Sequence, residues 1–162
     1  PHETASHLAD IVGGQCYYFA GPAFTDSAES RDILMKQPML REVFERGCNV
    51  DLAFLSVGDL ANANTMTALN LITEEEAQSL RAAGAVGDLC SHWINTAGEV
   101  IDHPLNSRAV GLPPLHLKTV PDTILASGGK AKVGVIHGAL VAGYANRLLT
   151  DEATAAQLLA FT

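Results

Sequence analysis

The fold is indicated most clearly by residues 123–144, which read TILASGGKAKVGVIHGALVAGY. Thr123–Ala126 is a short apolar run of the kind that forms a buried strand, and Ser127–Gly129 interrupts it. Lys130–Tyr144 has the length and composition of a long helix with small residues on one face. A buried strand that passes through glycines into a helix is the building unit of parallel α/β sheets.

The rest of the chain repeats this alternation. Asp51–Val57 (DLAFLSV) is almost wholly apolar, which suits a strand buried on both faces under helices. Ala85–Ile94 is a further strand candidate, and the turn at 96–99 that follows it suggests a small hairpin excursion. We therefore predict an α/β fold with an open, largely parallel sheet flanked by helices, in a single domain over residues 1–162. The other predicted strands are at 15–20 and 147–149. The other predicted helices are at 3–12, 38–46, 73–84, 113–119 and 151–161, together with one that begins after a cap at 26–27 and ends at 36.

Composition excludes several classes of protein. Of the 162 residues, 48% are hydrophobic and 17% are charged, which excludes intrinsic disorder. No run approaches the ~18 uninterrupted apolar residues of a membrane span. The net charge is −8, from 10 basic and 18 acidic residues, and no basic stripe is present. A DNA-binding domain usually shows the opposite charge, so we do not expect direct DNA contact by this chain.

The cysteines and histidines carry no site signature. Cys16, Cys48 and Cys90 are spaced too widely for a metal knuckle or a disulfide framework, and free thiols in a reducing cytosol are the expected state. The six histidines are scattered, and no phosphate-binding P-loop, dinucleotide fingerprint or serine-nucleophile elbow is present. We therefore predict no metal, no cofactor and a cytoplasmic protein.

Ligands of open α/β sheets bind outside the carboxyl ends of the strands, and this rule selects three loops. They are Ser56–Asp59, which contains Gly58, the loop around Gly87–Asp88, and Ser127–Lys132. Ser127–Lys132 offers either an anion site, with glycine amides and lysines at a helix start, or a tight turn with solvated lysines. Asp88 interrupts an apolar run and is either a structural acid or an acceptor for ligand hydroxyl groups.

Several motifs stand in order along the second half of the sequence: Gly84–Cys90, the turn at 96–99, Pro104–Gly111, Ser127–Gly129 with Lys132, and Leu149–Ala155. This series resembles the effector-binding domain of SorC/DeoR-type sugar-responsive bacterial transcription regulators. The first half agrees, through the segment from Pro22 to Leu34 and the strand that ends at Gly58, so the resemblance covers essentially the whole chain.

The resemblance implies a fold like that of glucosamine-phosphate deaminases and ribose-phosphate isomerases, and a phosphorylated sugar as effector. In such domains the acid of the Gly-Asp-Leu-Cys stretch binds sugar hydroxyls, and the lysine after the double glycine reaches the phosphate. These roles fall on Asp88 and on Lys132 rather than Lys130. The predicted ligand-binding set is Asp88, Lys132, Gly128, Gly129, Gly58, Leu89 and Cys90.

Members of this family begin the domain with a further strand, a loop rich in glycine and threonine, and a helix, behind an N-terminal helix-turn-helix. Both parts are missing from this sequence, so we expect a partial effector domain that meets DNA only through a helix-turn-helix outside the chain. We also expect a homo-oligomer, with residues 133–144 and the final helix as candidate surfaces. The alternative is an isomerase or deaminase of the related fold, but Leu60–Asn64 supplies no His or Glu for proton transfer.

Overall fold

The computed structural model describes residues 2–60 and 65–161, which form two three-stranded β-sheets with surrounding helices. The strands are β1 (Leu52–Leu55), β2 (Val57–Asp59), β3 (Gly87–Leu89), β4 (His92–Ile94), β5 (Asp122–Ala126) and β6 (Arg147–Leu149). The helices are α1 (His2–Val12), α2 (Ala28–Met35), α3 (Pro38–Cys48), α4 (Thr65–Ala68), α5 (Glu74–Ala82), α6 (Pro104–Arg108), α7 (Val133–Val141) and α8 (Glu152–Leu159). Short 3₁₀ helices cover Pro114–Thr119 and Lys130–Lys132.

The first sheet is parallel and has the order β1-β5-β6, which confirms the predicted α/β architecture. Leu55, Leu125 and Leu148 lie side by side across its three strands. Because the strands point the same way, their carboxyl ends share one edge of the sheet. Ser127 follows β5 at this edge and Thr150 follows β6.

The second sheet is antiparallel, in the order β2-β3-β4, and it is larger than the hairpin that the sequence predicts. The predicted strand Asp51–Val57 divides at Ser56, so that β1 joins the parallel sheet and β2 joins the antiparallel one. The predicted strand Ala85–Ile94 folds back on itself as β3 and β4. The reversal occurs at Cys90 and Ser91, which both have positive φ, a conformation that hydrophobic periodicity does not reveal.

Helix α7 packs into the main hydrophobic core together with residues of both sheets. Its Val135 is fully buried, in a cluster that also holds Leu89 and Leu125. The predicted helix Lys130–Tyr144 is shorter than expected, because a 3₁₀ turn precedes α7 and Gly143 ends it with a φ of 73°. Most apolar residues of α7 belong to the core, whereas Val141 is 63% exposed, so this helix offers only a small apolar surface to a partner.

A second core cluster lies beside the antiparallel sheet and is centred on Trp93 in β4. The Trp93 side chain is fully buried together with Leu80 and Leu105. Trp93 is also the cross-strand neighbour of Asp88 in β3. Its indole N–H has no hydrogen-bond partner in the part of the chain that the structure describes.

Two predictions about apolar segments are wrong. Gln15–Ala20 forms no strand, and Tyr17 instead lies on the surface, with the Arg46 guanidinium 4.3 Å from its ring centroid. Strand β1 is not buried on both faces, since Leu52 is 54% exposed and Phe54 is 67% exposed. A segment with strand propensity forms a buried strand only where a partner strand and a covering layer exist. Among the described residues β1 is an edge strand of its sheet.

Helix α5, which corresponds to the predicted helix at 73–84, begins with a capping box. Thr73 accepts a hydrogen bond from the N–H of Glu76, and the Glu76 carboxylate accepts one from the N–H of Thr73. Glu76 also accepts a 2.6 Å hydrogen bond from Arg108, which ties α5 to α6. Within the described ranges, no helix combines the length and the apolarity needed to cross a membrane.

Candidate functional site

Three of the predicted ligand-binding residues lie together beside the carboxyl edge of the parallel sheet. Gly58 in β2 is the register partner of Asp88 in β3. The 3₁₀ helix Lys130–Lys132, which follows β5, packs against β2. The positive charge of Lys132 acts directly on the ionisation of Asp88. The rule that ligands meet the carboxyl ends of strands therefore leads to one region of the protein, formed by β2, β3 and the 3₁₀ helix after β5.

Asp88 is the most unusual residue of this group, because a carboxylate is only 6% exposed there. Its Oδ2 accepts a 3.2 Å hydrogen bond from the backbone N–H of Ser91. Its Oδ1 is buried and has no hydrogen-bond partner among the described residues. Oδ1 lies against Gly58, and a Cβ at that position would collide with it. The glycine at 58 is thus required for Asp88 to lie where it does.

The charge of Asp88 is balanced by its surroundings only in part. Burial raises the pKa of Asp88 to about 6, while the Ser91 N–H and Lys132 act to lower it and Asp59 acts to raise it. At neutral pH the group is therefore an ionised, nearly buried carboxylate with a lysine nearby. A titratable group perturbed by desolvation and by a specific charge is typical of binding sites.

Leu89 and Cys90, the other two members of the Gly-Asp-Leu-Cys stretch, have little access to a ligand. The Leu89 side chain is fully buried in the main core, so only its backbone is available. The Cys90 side chain is half-buried, and burial together with the charge of Asp88 raises the pKa of its thiol to about 11. Cys90 therefore stays protonated and is a poor nucleophile at neutral pH.

The loop Ser127–Gly129 is closed against α8. Gly128 packs on the Asp151 carboxylate, with which a side chain at position 128 would collide. Gly129 has a φ of 104°, and its N–H donates a 2.7 Å hydrogen bond to Thr154 Oγ1. The Gly129 amide is therefore already used inside the protein, and its positive φ forms a tight turn. The positive charge of the loop comes from its lysine side chains.

Sequence reasoning missed two hydroxyl groups at the same edge. Ser127 Oγ and Thr150 Oγ1 are both buried and lack a hydrogen-bond partner within the described ranges. They follow neighbouring parallel strands, and the Ser127 N–H donates a 3.1 Å hydrogen bond to the carbonyl of Leu149. A polar residue directly after each apolar strand is the signal that would have found them.

The described part of the chain bears on the metal and enzyme alternatives as follows. Across residues 2–60 and 65–161, no three His, Cys, Asp or Glu side chains approach closely enough to hold a metal ion. The stretch Leu60–Asn64, which bears on the enzyme alternative, lies outside the described residues except for Leu60. What the site offers is a lysine and a carboxylate, a pair suited to a ligand with both a negative charge and hydroxyl groups.

Comparison with known proteins places the chain in a family. Residues 1–160 match the family model described as "Putative sugar-binding domain". The chain belongs to this family. Sugar-binding domains of this kind occur in bacterial transcription regulators, and the relatives of the chain carry such names.

Two regulators illustrate the sequence similarity. The chain is 31% identical over 157 residues to the deoxyribonucleoside regulator of Bacillus subtilis, and 26% identical over 159 residues to the erythritol catabolism regulatory protein EryD of Brucella abortus. These alignments cover 97% and 98% of the sugar-binding domain, but 50% of each regulator. The chain thus spans about half the length of these curated relatives.

Solved structures agree with the fold. A DeoR family transcriptional regulator from Listeria monocytogenes superposes with a TM-score of 0.91 at 25% identity, over 97% of this domain and 64% of that chain. The full-length sorbitol operon regulator SorC from Klebsiella pneumoniae gives a TM-score of 0.89 at 22% identity, over 98% of this domain and 51% of that chain. The α/β fold of the sugar-binding domain is therefore that of SorC/DeoR regulators.

Proposed function

We propose that this domain is the effector-sensing part of a bacterial transcription regulator and that its effector is a phosphorylated sugar. The observation that carries the proposal is the group formed by Gly58, Asp88 and Lys132, in which a lysine lies beside a nearly buried carboxylate. Membership of the sugar-binding family and the names of the relatives support the regulatory role.

The two charged residues have separate tasks in this proposal. Lys132 donates charge-assisted hydrogen bonds to the phosphate of the sugar. Asp88 accepts hydrogen bonds from sugar hydroxyl groups through acceptor capacity that the protein itself leaves unused. Gly58 leaves room for the Asp88 carboxylate, Gly128 and Gly129 form the turn that leads to Lys132, and Leu89 and Cys90 contribute backbone next to Asp88.

Regulation then follows from differential affinity. A sugar phosphate that binds one conformation of the whole regulator more tightly shifts its population toward that conformation. The regulator meets DNA through a helix-turn-helix outside the present domain, which is consistent with a net charge of −8 here. The domain itself acts by binding rather than catalysis, and incubation with sugar phosphates followed by NMR should show no turnover at enzyme-like rates.

Self-association is the second part of the proposal, because regulators with closed symmetry present paired surfaces. Apolar side chains that a partner could cover are exposed at several places, among them Phe54 on β1 and Leu159 at the end of α8. Light scattering on the full-length regulator should report a homo-oligomer whose size or population responds to the effector. A monomer under all conditions would contradict this part of the proposal.

Binding is tested by calorimetry with pentose and hexose phosphates and with the same sugars lacking phosphate. We expect heat of binding only with phosphorylated sugars, since the phosphate supplies the charge that Lys132 meets. Lys132→Ala should weaken the binding about ten- to a hundredfold, as expected for the loss of a charge-assisted hydrogen bond.

Lys130→Ala is the matched control for this experiment. It removes the same charge from the same 3₁₀ helix, but Lys130 is exposed whereas Lys132 is half-buried, and it is the charge of Lys132 that lowers the pKa of Asp88. Equal losses of affinity in the two variants would indicate a general charge effect and would contradict a specific role for Lys132. Unchanged affinity in folded Lys132→Ala would reject the assignment.

A further inference from the structure

The turn between β3 and β4 has an unusual backbone for its residues. Cys90 has a φ of 53° and Ser91 a φ of 64°, so both central residues of a two-residue hairpin loop lie in the left-handed region. Turns of this kind strongly favour asparagine and glycine at these positions, because a Cβ is costly there. Such strain persists only where surrounding contacts hold it.

Three contacts hold this turn. The Ser91 N–H donates to Asp88 Oδ2 at 3.2 Å. The Nδ1 of His92 lies 2.9 Å from the Cys90 carbonyl oxygen, and since a carbonyl oxygen only accepts, Nδ1 carries the proton. Gly111 packs directly on the same carbonyl oxygen, with which a Cβ at position 111 would collide.

The segment that contains Gly111 is itself fixed. The Val110 N–H donates a 2.9 Å hydrogen bond to the carbonyl of Ala23, and Ala109 pairs with Phe24 as an isolated antiparallel bridge. Ala109 and Val110 are almost completely buried. Gly111 is therefore held against the Cys90 carbonyl by an anchored segment, and a side chain there would displace the turn.

We propose that the Cys90–Ser91 turn is a positioning element for Asp88, and that His92 and Gly111 hold it so that the Ser91 N–H keeps the Asp88 carboxylate oriented as a hydrogen-bond acceptor. The turn acts only through Asp88, so its value for the ligand rests on the proposed function. Its effect on Asp88 exists in the absence of any ligand.

The groups around Asp88 have opposite effects on its pKa. Burial and the nearby Asp59 favour the protonated carboxyl group, whereas Lys132 and the Ser91 N–H favour the ionised form. The Ser91 N–H is the backbone donor of this set, and its position depends on the turn. If the turn moves, the protonated form of Asp88 is favoured, and the carboxyl group gains an O–H donor and loses part of its capacity to accept hydrogen bonds.

The wild-type protein provides the first test, by NMR without ligand. The carboxyl carbon of Asp88 and the amide proton of Ser91 are followed as the pH is changed. The Ser91 N–H is hydrogen-bonded to the Asp88 carboxylate. We therefore expect the amide proton resonance of Ser91 to shift with pH at the same midpoint as the titration of Asp88, near pH 6. If the chemical shift of the Ser91 amide proton does not change as Asp88 titrates, the proposal is overturned.

Two variants test the positioning residues. His92→Leu removes the donor to the Cys90 carbonyl, and we expect the midpoint of Asp88 to rise by about one pH unit. His92→Asn should restore the original midpoint, because the asparagine Nδ2 can occupy the place of the histidine Nδ1 and donate to the same oxygen. A merely structural role for His92 would not produce this rescue.

Gly111→Ala places a methyl group against the Cys90 carbonyl oxygen, on another side of the turn. This substitution should also raise the midpoint of the Asp88 titration. Gly47→Ala is its control, since a Cβ at position 47 in α3 meets no atom within 4 Å. An unchanged Asp88 midpoint in folded His92→Leu or Gly111→Ala would refute the positioning role. A sugar phosphate that fails to bind would refute the proposed function and would leave these ligand-free results standing.

Discussion

Replacing Asp88 by asparagine should weaken ligand binding and at the same time stabilise the fold. The Asp88 carboxylate is only 6% exposed, and its Oδ1 has no hydrogen-bond partner in the described structure. Asparagine has nearly the same volume, keeps an amide oxygen that can accept from the Ser91 N–H, and carries no charge. The substitution therefore removes the desolvation cost while retaining the main internal contact.

The magnitude follows from the pKa. Folding raises the pKa of Asp88 from 3.8 to about 6, and one unit corresponds to about 1.4 kcal/mol. Because the folded-state pKa is the higher one, ionised Asp88 destabilises the fold by about 3 kcal/mol above pH 6, and this cost vanishes below the pKa of the unfolded chain. Asp88→Asn should therefore gain up to about 3 kcal/mol at pH 8 and about half of that at pH 5.

Thermal denaturation followed by circular dichroism at pH 8 and pH 5 measures this gain. For a protein of this size, the melting temperature should rise by roughly 2–4 °C per kcal/mol. Asp10→Asn, which neutralises an exposed carboxylate in α1, provides the control and should show no comparable gain. The reasoning is refuted if Asp88→Asn is less stable than the wild type at pH 8, or if its gain does not shrink at pH 5.

Three further substitutions test how the site is supported. Asp151→Ala removes the cap of α8 and the contact that fixes the Thr154 hydroxyl, so urea denaturation should show a loss of about 1–2 kcal/mol. Glu76→Ala breaks both the capping box of α5 and the bond from Arg108, and a loss of about 1–2 kcal/mol is expected in the same assay. Leu125→Ala opens a cavity in the main core, and chemical denaturation should show a loss of about 2–5 kcal/mol. Losses below about 0.5 kcal/mol in any of these variants would contradict the corresponding contact.

The parallel sheet and the location of the candidate site could be predicted from the sequence because their signals are local. An apolar strand, a pair of glycines and a helix start stand next to each other in Thr123–Lys132, and the geometry of parallel strands then places the loop at the carboxyl edge. Asp88 is detectable because a carboxylate within an apolar run must find a partner. These inferences need no knowledge of distant contacts.

The internal arrangement of the site could not be predicted, because it depends on residues far apart in the chain. The Gly129 amide is used by Thr154, which lies 25 positions later. The division of Asp51–Val57 between two sheets depends on the positions of β3 and β5, with which its two parts pair. The apolar pattern of residues 51–57 contains no information about those positions. The positive φ of Cys90 and Ser91 also escapes prediction, since both residues normally avoid it.

The single tryptophan of the chain has a practical consequence. Trp93 is fully buried and faces Asp88 across the β3–β4 pair. All of the indole fluorescence of the domain therefore originates next to the carboxylate of the site. Its emission should be that of an indole in an apolar environment, and a change in the charge or the contacts of Asp88 should alter its intensity. The domain thus carries an intrinsic optical reporter, so that ligands can be screened in a plate reader without labelling the protein.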